Sequence, residues 1–160
     1  MSQDVQVTRG QYVESNHEIH VAVVNNEGRL LYAVGDPDRL TFPRSSMKPF
    51  QTVPLIESGA ADAFGYGDAE ISVSCASHSG EPIHRQTVLD VLSRSHLSED
   101  DLQCGMHIPR DGESYRELIR EGRELTPLFS TCSGQHSGML LTVVHLHVDI
   151  QTYRVIEHPH

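Results

Sequence analysis

The chain has 160 residues, with 22 acidic against 12 basic side chains and a net charge of −10 when the histidines are neutral. This length is enough for one domain with a core, and a hydrophobic content of 38% is lowish but not that of a disordered chain. The negative charge argues against nucleic acids and anionic membranes as partners, since both are bound by basic patches, and no apolar stretch approaches the ~20 residues of a transmembrane helix.

The predicted elements begin with a β-hairpin. Strands over His17 to Asn26 and Leu30 to Gly35 flank Asn25-Asn26-Glu27-Gly28, which is a strong turn signal. A helix is expected to follow Ser45, with Pro49 tolerated in its first turn and Gly59 as its C-cap. A buried strand is then predicted over Glu70 to Cys75, because β-branched residues alternate there.

Helices dominate the remainder of the prediction. The spacing of apolar residues predicts a helix over Pro82 to Ser95, and a capping-box-like sequence opens a short turn at Ser98 to Asp101. Asp111 is expected to cap a helix over Gly112 to Glu121. A glycine-rich turn, Cys132 to Gly138, precedes a further apolar segment. The sequence therefore predicts a mixed α/β protein, with residues 1–160 forming a single domain.

The phrase Arg44-Ser45-Ser46-Met47-Lys48 carries the first candidate chemistry. Residues three apart lie on one face of a helix, so the amine of Lys48 is expected to meet the hydroxyl of Ser45. A serine needs a base to act as a nucleophile near neutral pH, and a desolvated lysine can serve as that base. Alone, the spacing is more typical of an N-cap serine followed by a solvated lysine.

Two further segments place small polar residues and glycines before helices. One runs from Ser74 to Pro82 and contains Ser77 and His78; the other runs from Cys132 to Met139. Free N–H groups at such turns can stabilise an anion or an oxyanion, and a cysteine there can be a reactive thiol or a metal ligand. An ordinary helix-capping turn has the same composition. The eleven histidines are scattered, and we assign none to a metal site on spacing alone.

Together these segments resemble the rhizobial-type L-asparaginase family, also called asparaginase II. The match runs almost continuously from about Arg9 to the end of the chain. Besides the three segments above, it includes Val13-Glu14-Ser15-Asn16-His17, Gly35-Asp36-Pro37-Asp38, Glu57 to Phe64, Asp100 to Gly105, Glu121-Gly122 and Leu128 to Gly138.

The resemblance implies hydrolysis of L-asparagine to L-aspartate and ammonia, on a fold similar to serine β-lactamases and glutaminases. It implies catalytic roles for Ser45, Lys48 and Ser77, and substrate-binding roles for Arg44 and His78. It also implies no required cofactor, a small-molecule substrate and a homodimer in the full-length form. The three cysteines lack C-x-x-C spacing and the start of the chain lacks a signal peptide, so we expect a cytoplasmic location.

Two departures from the family pattern qualify these expectations. The family associates a zinc ion with the cysteine that falls on Cys132, but Gln135 stands where relatives have a lysine. The chain also stops at Glu157-His158-Pro159-His160, which resembles the middle of a family member, so we expect an N-terminal half of doubtful activity alone. Two alternatives stay open: a catalytically silent fragment or partner module, and a Ser-Lys hydrolase of the penicillin-recognising type.

Overall fold

The computed structural model describes residues 4–158 and shows a mixed α+β protein. The chain divides into two compact units, an N-terminal one that ends at Phe42 and a C-terminal one that begins at Pro43. The expectation of a single domain over residues 1–160 stays a prediction, as does the similarity to β-lactamases and glutaminases. The described range excludes residues 1–3 and 159–160. The expectation about a signal peptide rests partly on residues 1–3.

The N-terminal unit consists of two antiparallel hairpins. Strand β1 (Asp4–Arg9) pairs with β2 (Tyr12–Glu18), and β3 (Val21–Val24) pairs with β4 (Leu30–Val34). The predicted hairpin and its turn are confirmed for β3 and β4. The prediction was wrong in running the first strand back to His17, because His17 belongs to β2 and pairs with Val5 instead.

The C-terminal unit is helical throughout its described part, residues 43–158. A 3-10 turn at Arg44–Met47 leads directly into the first helix. The helices are α1 (Lys48–Glu57), α2 (Ala60–Ala63), α3 (Asp68–Cys75), α4 (Pro82–Arg94), α5 (Gly112–Arg120) and α6 (Ser133–His145). Short 3-10 turns lie at Glu99–Asp101 and Pro127–Phe129.

The strand predicted over Glu70 to Cys75 is wrong, because this segment is helix α3. Its start carries a strong local signal, since the Glu70 carboxylate accepts a hydrogen bond from Gly67 N–H at 3.0 Å. Two β-branched residues in six are too few to separate a strand from a buried helix by their pattern. The Ser74–Pro82 segment therefore connects two helices, α3 and α4, and not a strand to a helix.

Helix α6 lies at the centre of the C-terminal unit and packs against α1, α3 and α4. Its glycines allow this close packing: a Cβ atom on Gly134 would lie 2.4 Å from the Val73 carbonyl oxygen, and one on Gly138 would lie 3.0 Å from Ser74 Oγ. Leu140, Leu141 and Val143 on the same helix are fully buried. The approach of α3 to α6 brings together the chain segments that follow α3 and precede α6.

Several predicted helix ends are confirmed. Pro49 lies in the first turn of α1, and Gly59 follows its end with a left-handed φ of 80°. Asp111 caps α5 by accepting a hydrogen bond from Ser114 N–H at 2.7 Å. Ser98 and Asp101 form the expected capping box. Within the described residues, no helix combines the length and apolar character needed to cross a lipid bilayer.

Candidate functional site

Lys48 is the first residue of α1, and its side chain points into the C-terminal unit. Only 3% of the residue is exposed, an unusually low value for a lysine. Its Nζ donates to the carbonyl oxygens of Ala76 at 3.0 Å and Thr131 at 3.2 Å. A third hydrogen bond, of 2.9 Å, reaches Ser77 Oγ. Three oxygen atoms therefore lie within hydrogen-bond distance of the buried nitrogen, so this polar group is not left without partners.

A second hydroxyl lies directly beyond Ser77. Ser77 Oγ donates to Ser45 Oγ at 2.9 Å, so the three predicted catalytic side chains form a row in the order Lys48, Ser77, Ser45. The expected direct contact between Lys48 and Ser45 is replaced by a contact through Ser77. The reason is tertiary, because the amine of Lys48 is engaged by the Ala76, Ser77 and Thr131 oxygens, while Ser45 contacts Ser77 instead.

Thr131 anchors the site from the segment that precedes α6. Its carbonyl oxygen accepts hydrogen bonds from Lys48 Nζ and from the backbone N–H of His78 at 3.2 Å. Its own N–H donates to Nε2 of His107 at 3.0 Å, while the His107 Nδ1 lies 2.9 Å from the Ile108 carbonyl oxygen. Nδ1 therefore carries the proton of a neutral His107 ring. Sequence reasoning missed both residues, because no spacing pattern connects positions 107 and 131.

His78 is buried beneath the Ser77 turn, with 5% of the residue exposed. Nδ1 accepts from Gly80 N–H at 3.1 Å, so Nε2 carries the proton and donates to Ser133 Oγ at 2.8 Å. Burial, with smaller contributions from His84, Lys48 and His107, lowers the pKa of His78 to about 4. A neutral ring with both nitrogens occupied holds the turn in place. Its predicted contact with substrate stays a prediction.

A cleft of about 420 Å³ opens beside this row of side chains. It is bordered by residues of α3, the Ser77 turn and α4, namely Ala69, Ser72, Val73, Ala76, Ser77, His78, Ser79, Ile83, His84 and Thr87. The His84 ring stacks on His78 with 5.1 Å between centroids. Its Nδ1 is buried and has no hydrogen-bond partner within residues 4–158, so His84 is a further polar group of the cleft that sequence reasoning missed.

The family model described as L-asparaginase II matches residues 5–160 of the chain. The chain belongs to the L-asparaginase II family. A search of curated proteins finds no match to the sequence. Membership confirms the resemblance and points to an amidohydrolase with a small-molecule substrate.

Cys132 is the residue that the resemblance associates with a zinc ion. Cys132 is half-buried, and its Sγ lies 3.7 Å from Thr131 Oγ1. Gln135, at the position of the family lysine, donates from Nε2 to Gln51 Oε1 at 2.6 Å and so ties α6 to α1. Residues 4–158 contain no group of three or more His, Cys, Asp or Glu side chains able to hold a metal ion. Within residues 4–158, Cys132 lacks the companion ligands of a tetrahedral zinc site, so its zinc role stays an expectation from the resemblance.

Arg44, the other residue expected to bind the asparaginase substrate, is exposed and adjoins Ser45. Its φ is +50°, in the left-handed region that non-glycine residues rarely adopt. Such strained residues cluster at active sites and ligand clamps. The strain marks Arg44 as a residue held in place beside the serine, and its contact with substrate stays a prediction.

Proposed function

We propose that this protein hydrolyses the side-chain amide of L-asparagine, with Ser45 as nucleophile, Ser77 as proton relay and Lys48 as base. The row of hydrogen bonds from Lys48 through Ser77 to Ser45 carries the proposal. Ser77 Oγ is engaged on both sides, whereas Ser45 Oγ has a single side-chain contact and lies at the exposed end of the row. Ser45 therefore has lone pairs available to attack a carbonyl carbon.

The proposed reaction begins with Lys48 as the free amine, which donates its two N–H groups to the Ala76 and Thr131 carbonyl oxygens and accepts from Ser77 Oγ. In this state the Ser77 hydroxyl turns toward Lys48 and accepts from Ser45. Ser45 Oγ attacks the amide carbon as its proton passes to Ser77, and the Ser77 proton passes to Lys48. The C–N bond then breaks as Ser77 donates a proton to the leaving nitrogen and regains one from Lys48, and ammonia departs. Water attacks the resulting aspartyl ester with the same base, which releases L-aspartate and restores Ser45.

Ammonia release from L-asparagine by the natural gene product tests this proposal. Ser45→Ala and Lys48→Met should each lower kcat by roughly 10³-fold or more, and the double variant should lose little more, because members of one catalytic unit are not additive. Ser46→Ala is the matched control, since its hydroxyl donates to the Pro43 carbonyl oxygen instead. Near-normal turnover by the Ser45→Ala variant would rule out Ser45 as the nucleophile.

A further inference from the structure

A second cavity of about 360 Å³ lies away from the row of catalytic candidates, on the other side of α4. Three buried polar atoms without any hydrogen-bond partner in the described chain lie on residues that line it: Nε of Arg85, Oε2 of Glu99 and Oγ1 of Thr126. Buried polar groups are nearly always hydrogen-bonded, so three unsatisfied ones around a single cavity are unusual. They offer a donor, an acceptor and a hydroxyl that can act as either.

Of the four charged side chains that line this cavity, Arg123 pairs with Glu121 and the other three form no ion pair within residues 4–158. No ion pair within residues 4–158 involves Arg85 or Glu99, although both line the cavity. The Arg85 guanidinium is held over the Phe129 ring, with Cζ 4.6 Å from the ring centroid. An unpaired, partly buried charge is costly, and each of these charges is left for a partner of opposite sign.

The lining carries both signs of charge. Arg85 and Arg123 line it together with Glu99 and Glu124, and because Arg123 is paired with Glu121, the unpaired charges are those of Arg85, Glu99 and Glu124. The remaining wall is largely apolar and includes Leu89, Leu128 and Phe129. The volume falls at the lower end of the range found for small-molecule sites. A small molecule that carries both charges and an apolar body matches these three properties together.

We propose that this cavity binds a small aliphatic α-amino acid as a zwitterion. Its carboxylate accepts from Arg85, its ammonium donates to Glu99, Thr126 Oγ1 bonds to either group, and its side chain lies against Leu128 and Phe129. The site is separate from the Ser45–Lys48 chemistry and stands whether or not asparagine is the substrate.

Isothermal titration calorimetry of the natural gene product with L-valine tests the proposal. L-Valinamide lacks the carboxylate and N-acetyl-L-valine lacks the ammonium, so each analogue should bind roughly 10-fold or more weakly than L-valine. Arg85→Met and Glu99→Gln should each weaken L-valine binding to a similar extent. Arg116→Met is the matched control, because Arg116 pairs with Glu113 on exposed α5 and should leave binding unchanged.

Melting curves verify that the variants fold. If Arg85→Met is unstable, the loss of L-valine binding by Glu99→Gln still tests the proposal. Ser77→Ala should leave L-valine binding intact, which separates this cavity from the catalytic cleft. The proposal is overturned if L-valine does not bind, if it binds no better than its two single-charge analogues, or if neither Arg85→Met nor Glu99→Gln weakens it. In those cases the three unsatisfied atoms form hydrogen bonds only with water.

Discussion

The amine of Lys48 lies 2.9 Å from the hydroxyl of Ser77, although the two residues are 29 positions apart in the sequence. The lysine therefore contacts a serine from another segment directly, and the serine of its own motif only through that one. A single buried lysine side chain thus links α1, the turn after α3 and the segment before α6. The Ser-x-x-Lys spacing identifies the participants, but the fold determines their order.

Removing the middle hydroxyl should interrupt the proposed relay. Ser77→Ala leaves Ser45 without a side-chain path to Lys48, so we expect kcat for L-asparagine to fall by roughly 10²–10⁴-fold, the range typical of general base catalysis. Ser79→Ala is the matched control in the same turn, because Ser79 Oγ donates to Glu81. Steady-state assays of ammonia release make the comparison. Equal effects of the two substitutions would assign Ser77 a structural role.

His107 is predicted to position Lys48 through the Thr131 peptide group. His107→Leu leaves Thr131 N–H without its acceptor, whereas the amide oxygen of His107→Gln can replace Nε2. We expect His107→Leu to lower kcat by roughly 10-fold with little change in KM, since the displaced carbonyl orients the base and does not contact substrate. His107→Gln should retain most of the activity. A loss of activity that Gln does not rescue, or one confined to KM, would contradict this role.

Gly134 is predicted to be the least replaceable glycine of the core. A Cβ atom there would meet the Val73 carbonyl oxygen at 2.4 Å, and the backbone of α3 would have to move away. Gly134→Ala should therefore lower the free energy of unfolding by roughly 2–3 kcal/mol, measured by urea denaturation. Gly112→Ala, in the first turn of α5 with 3.8 Å of space, should be neutral or slightly stabilising. The prediction fails if both variants are equally stable.

Stability is predicted to fall in mild acid because of two buried histidines. Burial is the main cause that lowers the pKa of His78 and of His136 to about 4, from an ordinary value of 6.5. Between these two values the unfolded chain binds more protons than the folded one. The free energy of unfolding should therefore decrease as pH falls from about 6.5 to about 4, with both histidines contributing to the slope. Above pH 6.5 neither histidine contributes.

Replacing one of the two histidines tests the origin of this pH dependence. Tyr153 hydroxyl lies 2.7 Å from His136 Nδ1, and the side-chain oxygen of His136→Asn can accept the same hydrogen bond without titrating. In urea denaturation between pH 4 and pH 7, the free energy of unfolding of the Asn variant should depend less steeply on pH than that of the unsubstituted protein, because one of the two histidines is gone. If the pH dependence of the unfolding free energy is the same in the Asn variant, His136 does not contribute to it.

Local sequence signals predicted the helix ends, whereas the helical state of Glu70 to Cys75 was not predicted from the sequence. Asp111, Gly59 and Ser98 act through hydrogen bonds or backbone angles within a few residues of themselves, so the sequence alone reveals them. The segment from Glu70 to Cys75 has a local cap between Gly67 and Glu70, but its apolar pattern does not separate a helix from a strand. Its packing involves Gly134, which lies 61 positions beyond Val73 and lets α6 approach.

The candidate site was predictable in composition but not in arrangement. Ser45, Lys48 and Ser77 were identified from motifs and resemblance, and the fold brings all three together. His107 contacts Thr131 across 24 positions, and His84 reaches the cleft because α4 packs beside α3. These contacts follow from the path of the chain in three dimensions, and no spacing of residue types encodes them.

Locating the acyl group during turnover tests the central claim most directly. The natural gene product is mixed with L-asparagine, quenched with acid within milliseconds and digested, and its peptides are examined by mass spectrometry. The account predicts an aspartyl ester on Ser45, absent from the Ser45→Ala and Lys48→Met variants. An ester on Ser77 or a thioester on Cys132 would contradict the assignment of Ser45, as would full turnover of asparagine by the Ser45→Ala variant.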